Sequence, residues 1–177
     1  MQQKMVTTIK ECPARRVPTG ESAMIPAGQF ITINQSLGGN FTVTYLGNMY
    51  RIDGTDADAI GQTVDVISFA PHDGSHVDND QVWQALDSIF DPEIPISLVE
   101  LGLIYNVAIN NSDNSVLIDM TLTAPGCGMG PVLVGDVEYR VAKVPNVSSV
   151  KVNLVFDPPW TREMMSEEAQ LEAGLFF

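Results

Sequence analysis

An α+β chain of two unlike parts is predicted by three observations: glycine-punctuated alternating runs early on, a polar stretch at 71–80, and helical periodicity only beyond it. Residues 1–70 therefore read as a small β-rich, barrel-like N-terminal unit, 71–80 as a linker, and 81–177 as a mixed domain of order αββαβ with a C-terminal helical tail.

The runs of the first part are Phe30-Ile31-Thr32-Ile33, Phe41-Thr42-Val43-Thr44-Tyr45 and Met49-Tyr50-Arg51-Ile52, separated by Gly38-Gly39 and Gly47-Asn48. Glycine pairs and Gly-Asn between such runs are turn signals, and Gly47-Asn48 suits a two-residue hairpin. The spacing suits a closed or half-closed barrel; a β meander is the alternative. Asp53-Gly54-Thr55-Asp56-Ala57-Asp58 mimics a calcium loop but lacks the glutamate at its twelfth position, so it is expected to be a polar turn.

In the linker, His72 and His76 stand four apart among Asp73, Asp78 and Asp80. On a helix they would share a metal-binding face, yet Pro71 and Gly74 oppose a helix and favour a solvated connection.

Beyond the linker, Asp78 with Gln81 predicts a capping box, and Val82, Leu86, Ile89 and Phe90 form one helical stripe that Pro92 ends. Ser97 and Glu100 predict a single capped turn that Gly102 closes in the left-handed conformation. Leu103–Ile109 and Val116–Thr123 alternate as a hairpin in which Asp119, Thr121 and Thr123 face away from the core. Pro131 suits the first position of a helix with Val134, Val137, Val141 and Val144 as its buried stripe and Arg140 and Lys143 in its last turn. Val150–Phe156 is a third strand, parallel to the second by the handedness of crossover connections. Thr161 caps the acidic tail, expected to be helical at least to Ala173, with a disordered tail as the alternative.

The chain is 45% hydrophobic and 18% charged, with a formal net charge of -13. Such a charge repels phosphate backbones and anionic lipid, which excludes nucleic acid and membrane surfaces as expected partners and leaves basic proteins and metal cations. No stretch has the length of a membrane span and the first residues lack a signal-peptide core, so a cytoplasmic location is expected. Two distant cysteines make neither a disulfide framework nor a four-ligand zinc site.

Cys127 is the chemical candidate. It follows the strand Val116–Thr123 and precedes a helix start, with glycine on either side. Glycines leave the sulfur uncrowded, and the positive end of the following helix favours a thiolate. The alternative is a small buried hydrophobe at a turn. Asp157, after the end of the parallel strand, reaches the same rim as a ligand partner or belongs to a rigid Asp157-Pro158-Pro159-Trp160 turn. Asp91 and Glu93 are carboxylates suited to a cation or basic partner, or members of an acidic helix-ending turn. Thr121 and Thr123 can hydrogen-bond the cysteine loop or simply serve β propensity. Both histidines lie in the linker, so a Cys-His pair would require the linker to fold back, which leaves a cysteine enzyme as a third and weaker reading. A phosphate loop and a Cys-x-x-Cys pair are also missing, and the residues carry no defined catalytic reaction.

Four segments together, Asp91-Pro92-Glu93-Ile94-Pro95, Leu98–Tyr105, Thr121–Cys127 and Asp157–Thr161, resemble the metal-sulfur cluster biosynthetic (iron-sulfur cluster assembly) domain family. Upstream, Gln35–Val43 and Arg51–Gly61 resemble the N-terminal extension of the SufT family. The resemblance implies an iron-sulfur assembly domain at 81–177 and an accessory, non-enzymatic role in iron-sulfur protein maturation. It marks Cys127 as the reactive residue; the mechanism expected from this makes Cys127 the metal ligand, with Asp91, Glu93, Thr121, Thr123 and Asp157 as supporting site residues. Iron or an iron-sulfur cluster is then held transiently and shared, because one thiol cannot fill the four ligand positions of an ordinary cluster. The implied partners are iron-sulfur clients, SUF-system proteins or a second copy of the chain. The rival reading is an acidic adaptor with a structural cysteine.

Overall fold

The structure, a computed structural model, describes residues 3–37, 39–71, 74–91, 96–123 and 130–174. The backbone divides into two compact units, residues 1–67 with 131–135, and residues 68–130 with 136–177.

The first unit is a six-stranded antiparallel sheet of β1 (Lys4–Thr7), β2 (Cys12–Arg16), β3 (Ser22–Ile25), β4 (Phe30–Leu37), β5 (Asn40–Tyr45) and β6 (Asn48–Asp53). The order is β1-β4-β5-β6-β2-β3, with β1 and β3 at its ends. No pairing between these two closes the sheet among the described residues, so the expected barrel-like closure is replaced by an open sheet. Alternation supplies its core: Ile31, Ile33, Val43 and Ile52 are buried together with Cys12, Ala14 and Ile25. Tyr45 pairs with Asn48, so the β5–β6 turn is Leu46-Gly47, one residue earlier than Gly47-Asn48 suggests. Both turn residues have positive φ, 49° and 81°, which a two-residue hairpin of right-handed twist requires. The Asp53–Asp58 stretch is a 3-10 helix, Gly54–Ile60, whose first turn is capped by the Asp53 carboxylate accepting from the Thr55 N–H at 2.9 Å.

The second unit holds α1 (Asn79–Asp87), β7 (Ile104–Asn110), β8 (Ser115–Met120), α2 (Gly130–Val141), β9 (Ser149–Leu154) and α3 (Glu167–Ala173). Its sheet has the order β7-β8-β9, antiparallel then parallel, as the strand pattern predicts. The Asp78 carboxylate caps α1 by accepting from the Asp80 N–H at 2.8 Å, while Gln81 turns away to donate to the Ala70 carbonyl. Val82, Leu86 and Ile89 are fully buried. The helix ends at Asp87 rather than at Pro92, because Ser88 closes it with both its N–H and its hydroxyl on the Ala85 carbonyl. In α2, Val137 and Val141 are buried, as is Val144 just beyond it, and Val134 is half-buried. Arg140 is not a solvated last-turn cation: it is buried and donates to the Ser88 carbonyl and hydroxyl, both at 3.2 Å, tying α2 to the end of α1.

The tail helix starts later than Thr161 suggests. A 3-10 turn, Arg162–Met164, comes first, and Ser166 is the side-chain cap of α3. The linker is not wholly solvated either. The side-chain amide of Asn114 donates to the Ser75 carbonyl, and that of Asn146 to the carbonyls of Gly74 and His76.

Candidate functional site

A chain of backbone bonds builds the end of the small sheet. Leu98 N–H donates to Ile89 C=O, Leu103 N–H to Leu98 C=O, and Thr121 N–H to Leu103 C=O at 2.8 Å. These bonds fasten the segment around Asp91 to the carboxyl end of β8. Gly102 makes the turn between them possible: its φ of 74° is left-handed, and a Cβ there would collide with the Met164 carbonyl. On the parallel side, Val155 N–H donates to Met120 C=O, which carries the β8–β9 pairing to the same end.

Asp91 is buried next to the Phe90–Ser97 bridge, and its N–H donates to the Ile96 carbonyl at 3.1 Å. It lies beyond the end of α1, which stops at Asp87. Thr121 is fully buried, not on an exposed face, and its hydroxyl has no hydrogen-bond partner among the described residues. Thr123 is half-buried. Asp157 is exposed, beside a segment pinned at two points: Tyr105 OH donates to the Pro158 carbonyl at 2.8 Å, and the Trp160 indole N–H to the Leu101 carbonyl at 2.7 Å. Thr121, Asp91 and Asp157 thus belong to segments joined at one end of the β7-β8-β9 sheet. Cys127 lies outside the described residues, as do Glu93 and His72. His76 is exposed in the stitched linker.

Cys12 is the contrasting thiol. It is fully covered in the core of the first unit, and burial, aided by the carboxylates of Asp56 and Asp58, pushes its pKa up to about 12. Cys12 could in principle add a second thiol to Cys127, but a neutral, covered thiol is a poor nucleophile and ligand. Among the described residues, no three His, Cys, Asp or Glu side chains form a group able to hold a metal ion. No described helix is long and apolar enough to cross a membrane.

Periodicity alone does not reveal a cavity of about 270 Å³ bordered by Asp87, Phe90, Ile96, Ser97, Glu100 and Glu168. Ser97 donates to the Asp87 carboxylate at 2.6 Å, and Ser166 donates to that of Glu100. Sixteen of the acidic and four of the basic residues fall in 68–177, so the second unit carries nearly all of the net charge of -13.

Comparison with known proteins places this arrangement. Residues 79–154, which include Asp91, Glu93, Thr121, Thr123 and Cys127, match the family model described as iron-sulfur cluster assembly protein. An Fe-S protein maturation auxiliary factor of Porphyromonas gingivalis is 44% identical, over 54% of this chain and 90% of its own. The Fe-S protein maturation auxiliary factor SufT of Staphylococcus aureus is 40% identical, over 49% of this chain and 98% of its own. A conserved hypothetical protein of Thermotoga maritima of known structure is 37% identical, covering 57% of this chain and 98% of its own with a TM-score of 0.51. With relatives this similar matched over nearly their whole length, the chain belongs to the family of iron-sulfur cluster assembly proteins.

Proposed function

We propose that this chain is an accessory factor in the maturation of iron-sulfur proteins, and that Cys127 is the sulfur ligand through which it handles iron or a cluster. The observation that carries the reading is the match to maturation auxiliary factors over nearly their whole length. The chemistry agrees with it. The chain has two cysteines, and burial takes Cys12 out of use, which leaves Cys127 as the available soft ligand.

The iron or cluster is the cargo. A single thiolate leaves coordination positions open, so the remaining ligands come from a client, a SUF-system partner, a second copy or an external thiol. An incomplete ligand set also keeps the cargo exchangeable, which a handing-on role requires. In this reading Asp91, Glu93, Thr123 and Asp157 are the polar and carboxylate groups that orient cargo or client, and Thr121 supplies a hydroxyl. The relatives are named as maturation auxiliary factors, and in this reading the role of the chain is likewise accessory rather than enzymatic. In this reading 81–177 is the cluster-handling domain, 1–70 an extension and 71–80 their connection.

A second reading, an acidic adaptor that holds clients without touching their metal, is favoured by the charge concentrated in 68–177. Anaerobic reconstitution with ferrous iron and sulfide separates the two when followed by native mass spectrometry of wild type and Cys127→Ser. The cargo reading predicts iron and sulfide in a dimer or client complex, lost in the variant. Undiminished client complex without metal in both proteins would favour the adaptor. A monomer holding a complete cluster on its own side chains would refute shared ligation.

A further inference from the structure

The face of the first unit's sheet that points away from its core carries a run of uncovered apolar side chains. Ile31, Ile33 and Val43 fill the core, so by alternation Phe30, Thr32 and Thr44 lie on the opposite face. The strand register joins them across four strands. Met5 stands opposite Thr32, Thr32 opposite Thr44 and Thr44 opposite Met49, with Phe30 beside them opposite Thr7. Phe30 is 73% exposed, Met5 71% and Met49 45%, and Leu46 borders them in the β5–β6 turn. Threonine fills the positions between, and none of these residues is charged. Large apolar side chains left in water gain nothing from burial, and several side by side on one face mark a surface that a partner covers.

Charge decides which partner. Residues 1–67 hold six acidic and five basic residues, whereas 68–177 hold sixteen and four. A basic protein is drawn to the second unit and finds no carboxylate on this patch, and an acidic one is repelled by the chain as a whole. The patch fits an uncharged apolar surface, and another copy of the chain offers one. Two chains of formal charge -13 meet at least cost where neither presents its carboxylates, which is the near-neutral first unit. We infer that the Met5, Phe30 and Met49 face is the contact of a homodimer, the patch of each copy packed on that of the other about a two-fold axis. Methionine adapts its shape to a second methionine, and the aromatic ring supplies a rigid anchor. A pair carries two Cys127 thiols where one chain carries one. The use of the pairing rests on the reading of shared cargo; its existence does not.

Sedimentation velocity of the full-length, cargo-free chain under reducing conditions tests this, over a concentration series with and without sodium sulfate. Wild type is expected to pass from monomer to dimer as concentration rises, and more readily with the salt, which screens the repulsion between acidic chains and strengthens apolar contact. Phe30→Glu is expected to raise the dissociation constant about tenfold or more, and so are Phe30→Thr and Met5→Thr, which add no charge and keep a strand-forming residue. Leu171→Glu, at an exposed leucine of α3, and Cys127→Ser are expected to dimerise like wild type, with circular dichroism establishing that each variant is folded. Wild type that stays monomeric throughout, a dimer that Phe30→Thr and Met5→Thr leave intact, or one that sodium sulfate dissociates would overturn the inference. A dimer found only after reconstitution with ferrous iron and sulfide, and lost in Cys127→Ser, would overturn it while supporting the cargo reading. A cargo-free dimer weakened at Phe30 that takes up no iron would support the pairing and overturn the cargo reading.

Discussion

A thiol reacts according to its surroundings, and Cys12 shows how far burial can take one out of use. Its sulfur has no solvent exposure and a pKa raised to about 12, so in the folded chain it stays protonated and covered. A thiol-reactive disulfide at neutral pH should therefore titrate one cysteine in the native protein, Cys127, and two in denaturant; two fast native thiols would contradict the assignment. The same shift sets a pH dependence. Because the folded pKa lies above the unfolded value of about 8.5, the contribution of Cys12 is whole below pH 8.5 and is lost as pH rises toward 12. Urea midpoints between pH 8 and 10 should fall more steeply in wild type than in Cys12→Ala. At this scale the sequence was informative about type and poor about burial. Thr121 alternates with the core positions of β8 and so reads as exposed, yet it lies past the strand's last residue, Met120, where alternation no longer decides which side is covered.

Elements were legible where period and turn chemistry agreed. The αββαβ order, the antiparallel and parallel pairings and the left-handed Gly102 all follow from residues that leave little choice. Ends were less legible, since tertiary bonds set them: Ser88 stops α1 before Pro92 can, and Ser166 rather than Thr161 starts α3. The β5–β6 turn shifts to Leu46-Gly47 because pairing of Tyr45 with Asn48 fixes its register. That leaves Leu46 82% exposed with a positive φ, a conformation asparagine tolerates better. Leu46→Asn should raise stability by about 0.5–1 kcal/mol in chemical denaturation; a loss would mean that the apolar side chain serves the turn. Arg140 belongs here too. Its guanidinium joins two helices through Ser88, so Arg140→Met should cost about 2–3 kcal/mol by the same measurement, leaving the Ser88 carbonyl short of a donor.

For the molecule as a whole, the two units differ in kind. The first is a six-stranded open sheet around a small apolar core, near neutral in charge; the second carries the acidic excess and the family match at 79–154. Composition foretold the charge but not its placement in one unit, and strand spacing foretold a sheet but not whether it closes, since closure depends on how the two end strands meet. The family signature was readable because its segments keep their order along the chain. The central claim, that Cys127 handles the cargo, is tested most directly by the activity of an iron-sulfur client enzyme matured with wild type or Cys127→Ser, with circular dichroism establishing that both are folded. The account predicts a folded variant whose client activity drops to the level seen without the factor; a folded variant that matures the client as well as wild type would contradict it.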